Sequence, residues 1–505
     1  MKPSDLSDHL ASQLVSEGVD LDRMLRFLDD LNSGKYDGIK GVEPDTVPDI
    51  SNPSIIDRRG KTSFSLSSDA AHERFTMLEL PFSPESVSSA KNGQLTFDEP
   101  ALEKIGIHLY PKTAYGVLNG GSASSYADVK KNRSLDAKIF EEYKARFETL
   151  AAECRGKPKG ITPAYINEDG SPGYSFLLLK LRMLLEHKRK YLELTGKACD
   201  FMLPAFQMTS VHTDREIQEA YRSYTMMDEL RGLSQKLGCS SIEMYTETQT
   251  MMAAITHSSE GSPRRIFDHA NGRTDTGIAM PGGHGQNFEI LTPVYRKMYE
   301  QGIRYAWLGN IDNMGYTVDP VSLAIFALSG KEAAFEESWR TPMDVKGGIL
   351  VCDKSGRFSC ADIGPVISTQ QMLDFEAKGK PVLFNCGIGL FDLEKLIGRL
   401  PDIPWQLPLR ITDQDKDAGL YAQAEQITWE IIGLLDDPLF FAVEKSRRFI
   451  AAKMLMETIM TSLPPHDASS ALGSVSESLH AGLENLLESQ YGLAQKDGKW
   501  IPKKQ

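Results

Sequence analysis

Three loops carry the residue types from which an anion-handling site could be assembled. The first lies in YGVLNGGSASSYADVKKN, Tyr115 to Asn132, where a short apolar run enters Gly120 and Gly121 and then a cluster of small hydroxyl residues. Two glycines let the backbone turn tightly and approach a ligand with no Cβ in the way, while neighbouring N–H groups can face phosphate oxygens. A plain turn uses the same residues, and neither the P-loop ending nor the G-x-G-x-x-G spacing is present. The second loop is MPGGHGQNF, Met280 to Phe288, in which Gly282, Gly283 and Gly285 surround His284. Its imidazole and the Gly283 N–H could donate to a phosphate or sugar oxygen; an exposed loop histidine is the plainer alternative. The third is LGNIDNMGYTVDP, Leu308 to Pro320. Asp312, flanked by Asn310 and Asn313, suits a hard divalent cation whose shell is completed by phosphate and water, although an Asx-turn favours the same residues.

Each loop follows a short apolar run, so the elements that position them read as strands. AYGVLNGG, CDFMLPAFQMTS, SIEMYTETQ, IRYAWLGNIDN, GGILVCDKSG and PVLFNCGIG alternate with helix-like segments such as REIQEAYRSYTMMDELRGLSQKLG. That alternation predicts an α/β fold of Rossmann type, with a mixed, mainly parallel sheet flanked by helices and ligands beyond the carboxyl ends of the strands. Ser7 to Leu31 shows helical apolar spacing and is followed by a Pro, Asp and Gly-rich connection. We therefore divide the chain into an N-terminal helical region and linker (1–104), an α/β domain (105–459) that carries the three loops, and a short helical C-terminal region (460–505).

At 505 residues, with 41% hydrophobic and 25% charged residues, the composition is that of a soluble globular protein. A formal net charge of −13 argues against nucleic acid or an anionic membrane as partner, because both reward basic patches. Phosphate chemistry must then rely on a few local cations. The six cysteines show no C-x-x-C pair, which fits free thiols in a reducing compartment. MKPSDLSDHL lacks the apolar block of a signal peptide, and YSFLLLKLRMLL is interrupted by Lys180 and Arg182. A cytoplasmic location is expected.

Taken in order, these loops resemble the UTP:glucose-1-phosphate uridylyltransferase family of UDP-sugar pyrophosphorylases. The family's L-N-G-G is similar to Leu118, Asn119, Gly120 and Gly121, and its P-P-G-H-G to Pro281 through Gly285. Its N-S-D-N-x-G-x-x-V-D resembles Asn310, Ile311, Asp312, Asn313, Gly315, Val318 and Asp319. D-V-K-G-G-T-L resembles DVKGGIL from Asp344, F-N-T-N-N-L resembles FNCGIGL from Phe384, and the closing Q-L-E-T and R-F-x-P-V-K are matched by Gln423, Glu425 and Arg448 to Lys453. The similarity covers roughly Ile105 to Ile459.

The resemblance implies a GT-A-like fold and Mg²⁺-dependent transfer of uridylyl from UTP to glucose 1-phosphate, giving UDP-glucose and pyrophosphate. An N-acetylglucosamine or broad-specificity pyrophosphorylase is one alternative, since PKG at Pro158 to Gly160 is similar to the N-acetylhexosamine branch. A non-catalytic UDP-sugar-binding protein is another. Position by position, the resemblance implies that Leu118, Asn119, Gly120, Gly121, Gln249 and Gly283 meet the nucleotide. His284, Asn310, Ile311, Asp312, Asn385 and Glu425 would meet the sugar phosphate, Asp312 would hold Mg²⁺, and Lys159 and Lys453 would be catalytic. UTP and a hexose 1-phosphate are the expected small-molecule partners; the oligomeric state is left open, since the residues after Lys453 lack the hexapeptide periodicity of the β-helix through which eukaryotic members self-associate. Two features depart from the family. Its loop continues G-G-x-G-T-x-x-G, whereas Ala123 and Ala127 stand at the third and fourth glycines here, which would be strained if those positions need positive φ. The insertion-like segment Asp128 to Gly156 also carries Lys130, Lys131 and Arg133, which compete with Lys159 for its role.

Overall fold

The apolar runs form one large sheet. The computed structural model describes residues 6–198, 201–239, 242–341, 344–464 and 471–503. Its central strands are β1 (Ile55–Asp57), β2 (Thr113–Leu118), β3 (Ala205–Ser210), β4 (Met244–Gln249), β5 (Tyr305–Asn310), β6 (Ala333–Trp339), β7 (Gly348–Cys352), β8 (Phe358–Asp362), β9 (Leu383–Asp392) and β10 (Leu439–Val443). The spatial order is β1-β10-β6-β9-β5-β2-β3-β4, with β7 paired to β8 and to the start of β9. Every pairing along that order is parallel except the two made by β9. The sheet is thus mixed and mainly parallel, as the alternation of apolar runs predicts.

Burial on both faces explains why these strands read as continuous apolar runs. Along β2, Tyr115 and Val117 enter one core while Ala114 and Leu118 enter the other; β5 divides Tyr305 and Trp307 from Ala306 and Leu308 in the same way. Gly116 must be glycine, because a Cβ there would fall 2.1 Å from the Phe206 ring of the neighbouring strand.

The helix Phe176–Thr195 starts at the Ser175 cap, whose side chain accepts from the Leu178 N–H, and stops at Gly196 with φ +69°. It is buried from Phe176 to Lys188, so the charges that interrupt its apolar run are interior ones. Among the described residues, no helix is long and apolar enough to cross a membrane.

Two terminal regions contain more strand than the sequence reading assigns them. Helices Asp8–Ser16 and Leu21–Asn32 are followed by the extended connection, but Ile55–Asp57 then adds an edge strand to the central sheet, and Ser63–Ser67, Ser89–Lys91 and Gln94–Asp98 form a small antiparallel sheet. These strands are short and mostly exposed, so they lack the apolar run that reveals a central strand. After the helix Ala471–Ser489 the chain ends in a hairpin, Leu493–Lys496 with Lys499–Pro502.

Candidate active site

Loops from four strands meet along one edge of the sheet. Asn119 to Gly121 leave β2, Gln249 ends β4, and Asn310 to Asp312 leave β5. Because β9 runs against its neighbours, its beginning lies at this same edge, and Asn385 pairs with Glu337 of β6.

The turn after β2 is fixed by its carbonyls. The Asn119 N–H donates to the Met208 carbonyl at 2.8 Å, and the Gly120 carbonyl accepts from Ser210 Oγ at 3.0 Å and Thr213 Oγ1 at 3.3 Å. Since a trans peptide points its N–H opposite its carbonyl, the Gly121 N–H faces away from Ser210 and Thr213. A Cβ on Gly121 would meet nothing within 4 Å, which leaves a bare ledge; neither Gly120 nor Gly121 has positive φ. Asn119 is fully buried and donates to Gln207 Oε1 at 2.9 Å. A Cβ on Gly160 would strike its Oδ1 at 2.1 Å, so the glycine of Pro158–Gly160 serves the opening loop.

The feared strain at Ala123 and Ala127 is absent. Neither has positive φ, and both are fully buried against Tyr126, Phe140, Phe147, Leu455 and Met456. The insertion-like segment provides that floor through the helix Ala137–Cys154. Tyr126 ties it together: its hydroxyl bonds Thr458 Oγ1 at 2.6 Å, its carbonyl accepts from Asn132 and Leu455, and Lys159 Nζ sits 4.3 Å from its ring centroid.

Three lysines come together beside this loop. Lys159, 9% exposed, donates to Asp312 Oδ2 at 2.9 Å and to the Ala452 carbonyl. Lys131 reaches Ser125 Oγ at 2.9 Å and the Lys453 carbonyl at 3.4 Å. Burial, followed by the nearby charges of Lys159 and Lys453, lowers the Lys131 pKa. Lys453 is exposed, and its backbone N–H is held by Glu457 Oε2 at 2.6 Å. Lys159 therefore spends much of its charge on Asp312, whereas Lys131 and Lys453 make no ion pair with a carboxylate among the described residues.

The loop bearing Asp312 is braced from beneath. Ile311 is 4% exposed and belongs to the core, so its backbone alone faces the edge. Asn313, fully buried, donates to the Arg448 carbonyl at 3.0 Å and accepts the Gly315 N–H at 2.9 Å. Lys180 spends all three ammonium donors here, on the carbonyls of Asn313 at 2.6 Å and Tyr316 at 2.7 Å and on the Tyr491 hydroxyl at 3.2 Å. Arg448 grips both oxygens of Glu336 at 2.7 Å and also bonds Thr317. Sequence reasoning did not find these supports; for Lys180 the signal available was a charge inside an otherwise apolar helical run.

Across the edge, Gly283 has φ +83° and a Cβ there would lie 2.3 Å from the Gln426 carbonyl oxygen, so glycine is required twice over. Its carbonyl accepts from Gln249 Nε2 at 2.9 Å, and the same nitrogen donates to Gln286 Oε1 at 2.9 Å. The Gln249 amide is therefore clamped with its carbonyl oxygen left for another donor. His284 Nδ1 accepts the Thr428 N–H at 3.1 Å, which puts the proton of the neutral ring on Nε2. Burial, with Lys453 and Arg410 nearby, pushes its pKa down to about 4 despite the opposing pull of Asp362. The ring is neutral near pH 7 and offers an N–H donor.

Asn385 is 7% exposed and internally committed: Nδ2 donates to Glu337 Oε1 at 3.2 Å and Oδ1 accepts the Gly387 N–H at 2.6 Å. Glu337 is fully buried, and desolvation raises its carboxyl pKa well above the usual range, with the Asn385 hydrogen bond opposing. Glu425 closes the strand Gly419–Glu425 and packs beside Gly283. Arg410, paired with Asp362 and Glu430, lies across from Glu425 in the hairpin register.

This arrangement can do one kind of chemistry well. It offers a bare backbone ledge, a clamped amide, a neutral imidazole donor and a lysine–carboxylate pair with two further lysines close by, which together suit a polyphosphate ester carrying a hydrogen-bonding base.

A family profile described as UTP--glucose-1-phosphate uridylyltransferase matches residues 180–453. The chain belongs to this family. Curated relatives include the UTP–glucose-1-phosphate uridylyltransferase of Astragalus penduliflorus, 27% identical over 247 residues, covering 47% of this chain and 49% of the relative. A probable enzyme of the same name from Schizosaccharomyces pombe is 27% identical over 215 residues, covering 42% and 37%. The chain thus spans about half the length, or less, of these two relatives. Among solved structures, the UDP-N-acetylglucosamine pyrophosphorylase of Trypanosoma brucei in complex with inhibitor superposes with a TM-score of 0.57 at 16% identity, covering 96% of this chain and 79% of that one. A mutant UDP-glucose pyrophosphorylase from Leishmania major gives 0.52 at 15% identity, covering 90% and 79%. At such identities these two share the fold alone. The family profile begins at Lys180 and ends at Lys453, the lysine that braces the Asp312 loop and one of the three that converge beside it.

Proposed function

We propose that the protein transfers uridylyl from UTP to a hexose 1-phosphate, with glucose 1-phosphate the first choice, forming a UDP-sugar and pyrophosphate. The observation that carries this reading is the position of Lys159, whose backbone N–H donates to the Gly121 carbonyl and whose ammonium bonds Asp312, with Lys131 held against Ser125 of the same loop and the Lys453 carbonyl. Attack of one phosphate ester on another brings two anions together, so a site for it must cancel repulsion before any bond changes.

In this reading the carbonyl oxygen of the clamped Gln249 amide accepts the N3–H of uracil, and backbone at Gly121 and Gly283 lies along the nucleotide. His284 Nε2–H donates to a phosphate or sugar oxygen. Asn385 and Glu425 border the sugar, with Asn385 oriented by its bond to Glu337. A phosphate oxygen of the sugar 1-phosphate forms a bond to the α-phosphorus of UTP while the bond from that phosphorus to the bridging oxygen breaks, and pyrophosphate leaves. Lys453 and Lys131, unpaired with carboxylates, meet the charge that grows on the leaving group. No protein nucleophile is required.

The chain's donors fit a Mg²⁺ ion of the kind held mainly by substrate. Asp312 keeps one carboxylate oxygen apart from the Lys159 bond, and no group of three or more His, Cys, Asp or Glu ligands occurs among the described residues. One carboxylate plus phosphate oxygens and water is a usual magnesium shell. Bound there, the ion would neutralise phosphate charge.

A panel of sugar 1-phosphates, each supplied with UTP and Mg²⁺ and assayed for pyrophosphate release, tests the reading and ranks the acceptors. Turnover with a hexose 1-phosphate is expected. A melting temperature raised by UDP-glucose with no turnover for any acceptor would replace it with the binding-protein alternative.

A further inference from the structure

Behind the Pro281–Gln286 loop, a cavity of about 610 Å³ opens between the helix Leu21–Asn32 and the segment Leu400–Leu409. That volume is in the range of small-molecule sites, roughly 300–1,000 Å³. One wall is aromatic: Phe27 and Tyr36 have ring centroids 5.9 Å apart, and Tyr36 and Trp405 6.2 Å apart. Lys35 Nζ covers one face of Trp405 at 3.3 Å.

The charge around the cavity is unbalanced. Arg23, Arg26, Lys35 and Arg296 line it against only Asp30 and Glu289. Arg23 is paired with Glu289 at 2.5 Å and Lys35 with Asp30 at 3.2 Å. Arg26 and Arg296 are exposed and make no ion pair among the described residues, a local excess of two positive charges on a chain of net charge −13. A ring to stack and a negative charge to place is what such a lining selects.

The cavity is also wired to the nucleotide side. Arg23 Nη1 donates to Gln286 Oε1 at 3.2 Å, the same oxygen that receives Gln249 Nε2. Gly282 lines the cavity and adjoins Gly283, and a Cβ on it would strike Gln286 Nε2 at 2.2 Å. A ligand that draws on Arg23 or shifts Gln286 therefore moves the clamp on Gln249.

We propose that this cavity is a second, regulatory site for a planar aromatic anion, its ring on the Phe27–Tyr36–Trp405 wall and its charge met by Arg26 and Arg296. The regulatory part rests on the proposed nucleotide site; the binding part does not. Calorimetric titration of the full chain with AMP and with 4-hydroxybenzoate tests binding directly, in wild type, in Trp405→Ala and in Arg26→Ala/Arg296→Ala. One saturating site per chain for either probe, weakened about tenfold or more by each variant at unchanged melting temperature, is expected. Binding of AMP alone assigns a nucleotide-type effector, and of 4-hydroxybenzoate alone an aromatic acid. Saturation by neither probe up to millimolar concentration, or affinity unchanged in both variants, overturns the site. With a probe bound, UTP affinity should shift at least threefold. If UTP binds but its affinity stays the same, the regulatory part fails while the site stands; if UTP does not bind at all, it is the proposed function that fails.

Discussion

Replacing Lys159 by methionine keeps the length of the side chain and removes the charge between Asp312, the Ala452 carbonyl and the Tyr126 ring. Two unit charges 2.9 Å apart attract by about 6 kcal/mol at an effective dielectric constant of about 20. The side chains are 11% and 21% exposed, so desolvation offsets most of that attraction. The net coupling should fall between the 1 kcal/mol or less of exposed pairs and the roughly 3–5 kcal/mol lost on breaking a buried pair from one side, at about 2 kcal/mol. We expect Lys159→Met and Asp312→Asn each to lower the urea midpoint, and the double variant to be less destabilised than their sum by about that amount. Pyrophosphate release should stay at least about a hundredfold below wild type in the double variant, because relief of an unpaired charge restores the fold and not the phosphate site. Coupling below about 0.5 kcal/mol would show that the pair is not an energetic unit. Wild-type turnover in the double variant would remove both residues from the mechanism.

Lys453→Ala should lower turnover by orders of magnitude with modest change in UDP-glucose affinity, measured by steady-state kinetics beside calorimetry, because its charge matters most as charge develops on the leaving phosphate. For His284, the pKa of about 4 lies below the unfolded value near 6.5, so the unfolded chain holds an extra proton between those limits. Stability is lost through this group as pH falls from about 6.5 toward 4, at up to roughly 1.4 kcal/mol per pH unit. Urea midpoints of His284→Asn across that window should fall less steeply than those of wild type; parallel curves would contradict a buried neutral ring. Ala127→Gly should destabilise by about 1–2 kcal/mol, from one lost buried methyl and added chain freedom, with no gain in turnover. A faster variant would mean that the loop does need the family's glycine.

Much of the central sheet is legible in the chain because strands buried on both faces are largely apolar, as the runs within TAYGVL and YAWLG show; the polar half of AFQMTS is buried all the same. The edge strand Ile55–Asp57 and the small sheet before residue 99 are not, because a strand of three residues, or one that buries only alternate side chains, leaves no such run. The site was legible as separate loops. Gly283 can be read from the sequence as a position of special backbone, and the structure adds why: positive φ and contact with Gln426. The tyrosine and alanines after Gly121 read as a disturbance, yet they form a packed floor with residues more than three hundred positions away.

The sequence by itself determined which residues could bear charge, bend sharply or pack inside, since those are properties of side chains and of local runs. Only the tertiary structure decided which cations lie near one another. Lys131, Lys159 and Lys453 are brought together by the packing of Tyr126 on the helix Leu455–Ser462 and by the bond from Lys159 to Asp312, and long-range contacts of that kind leave no periodic trace along the chain.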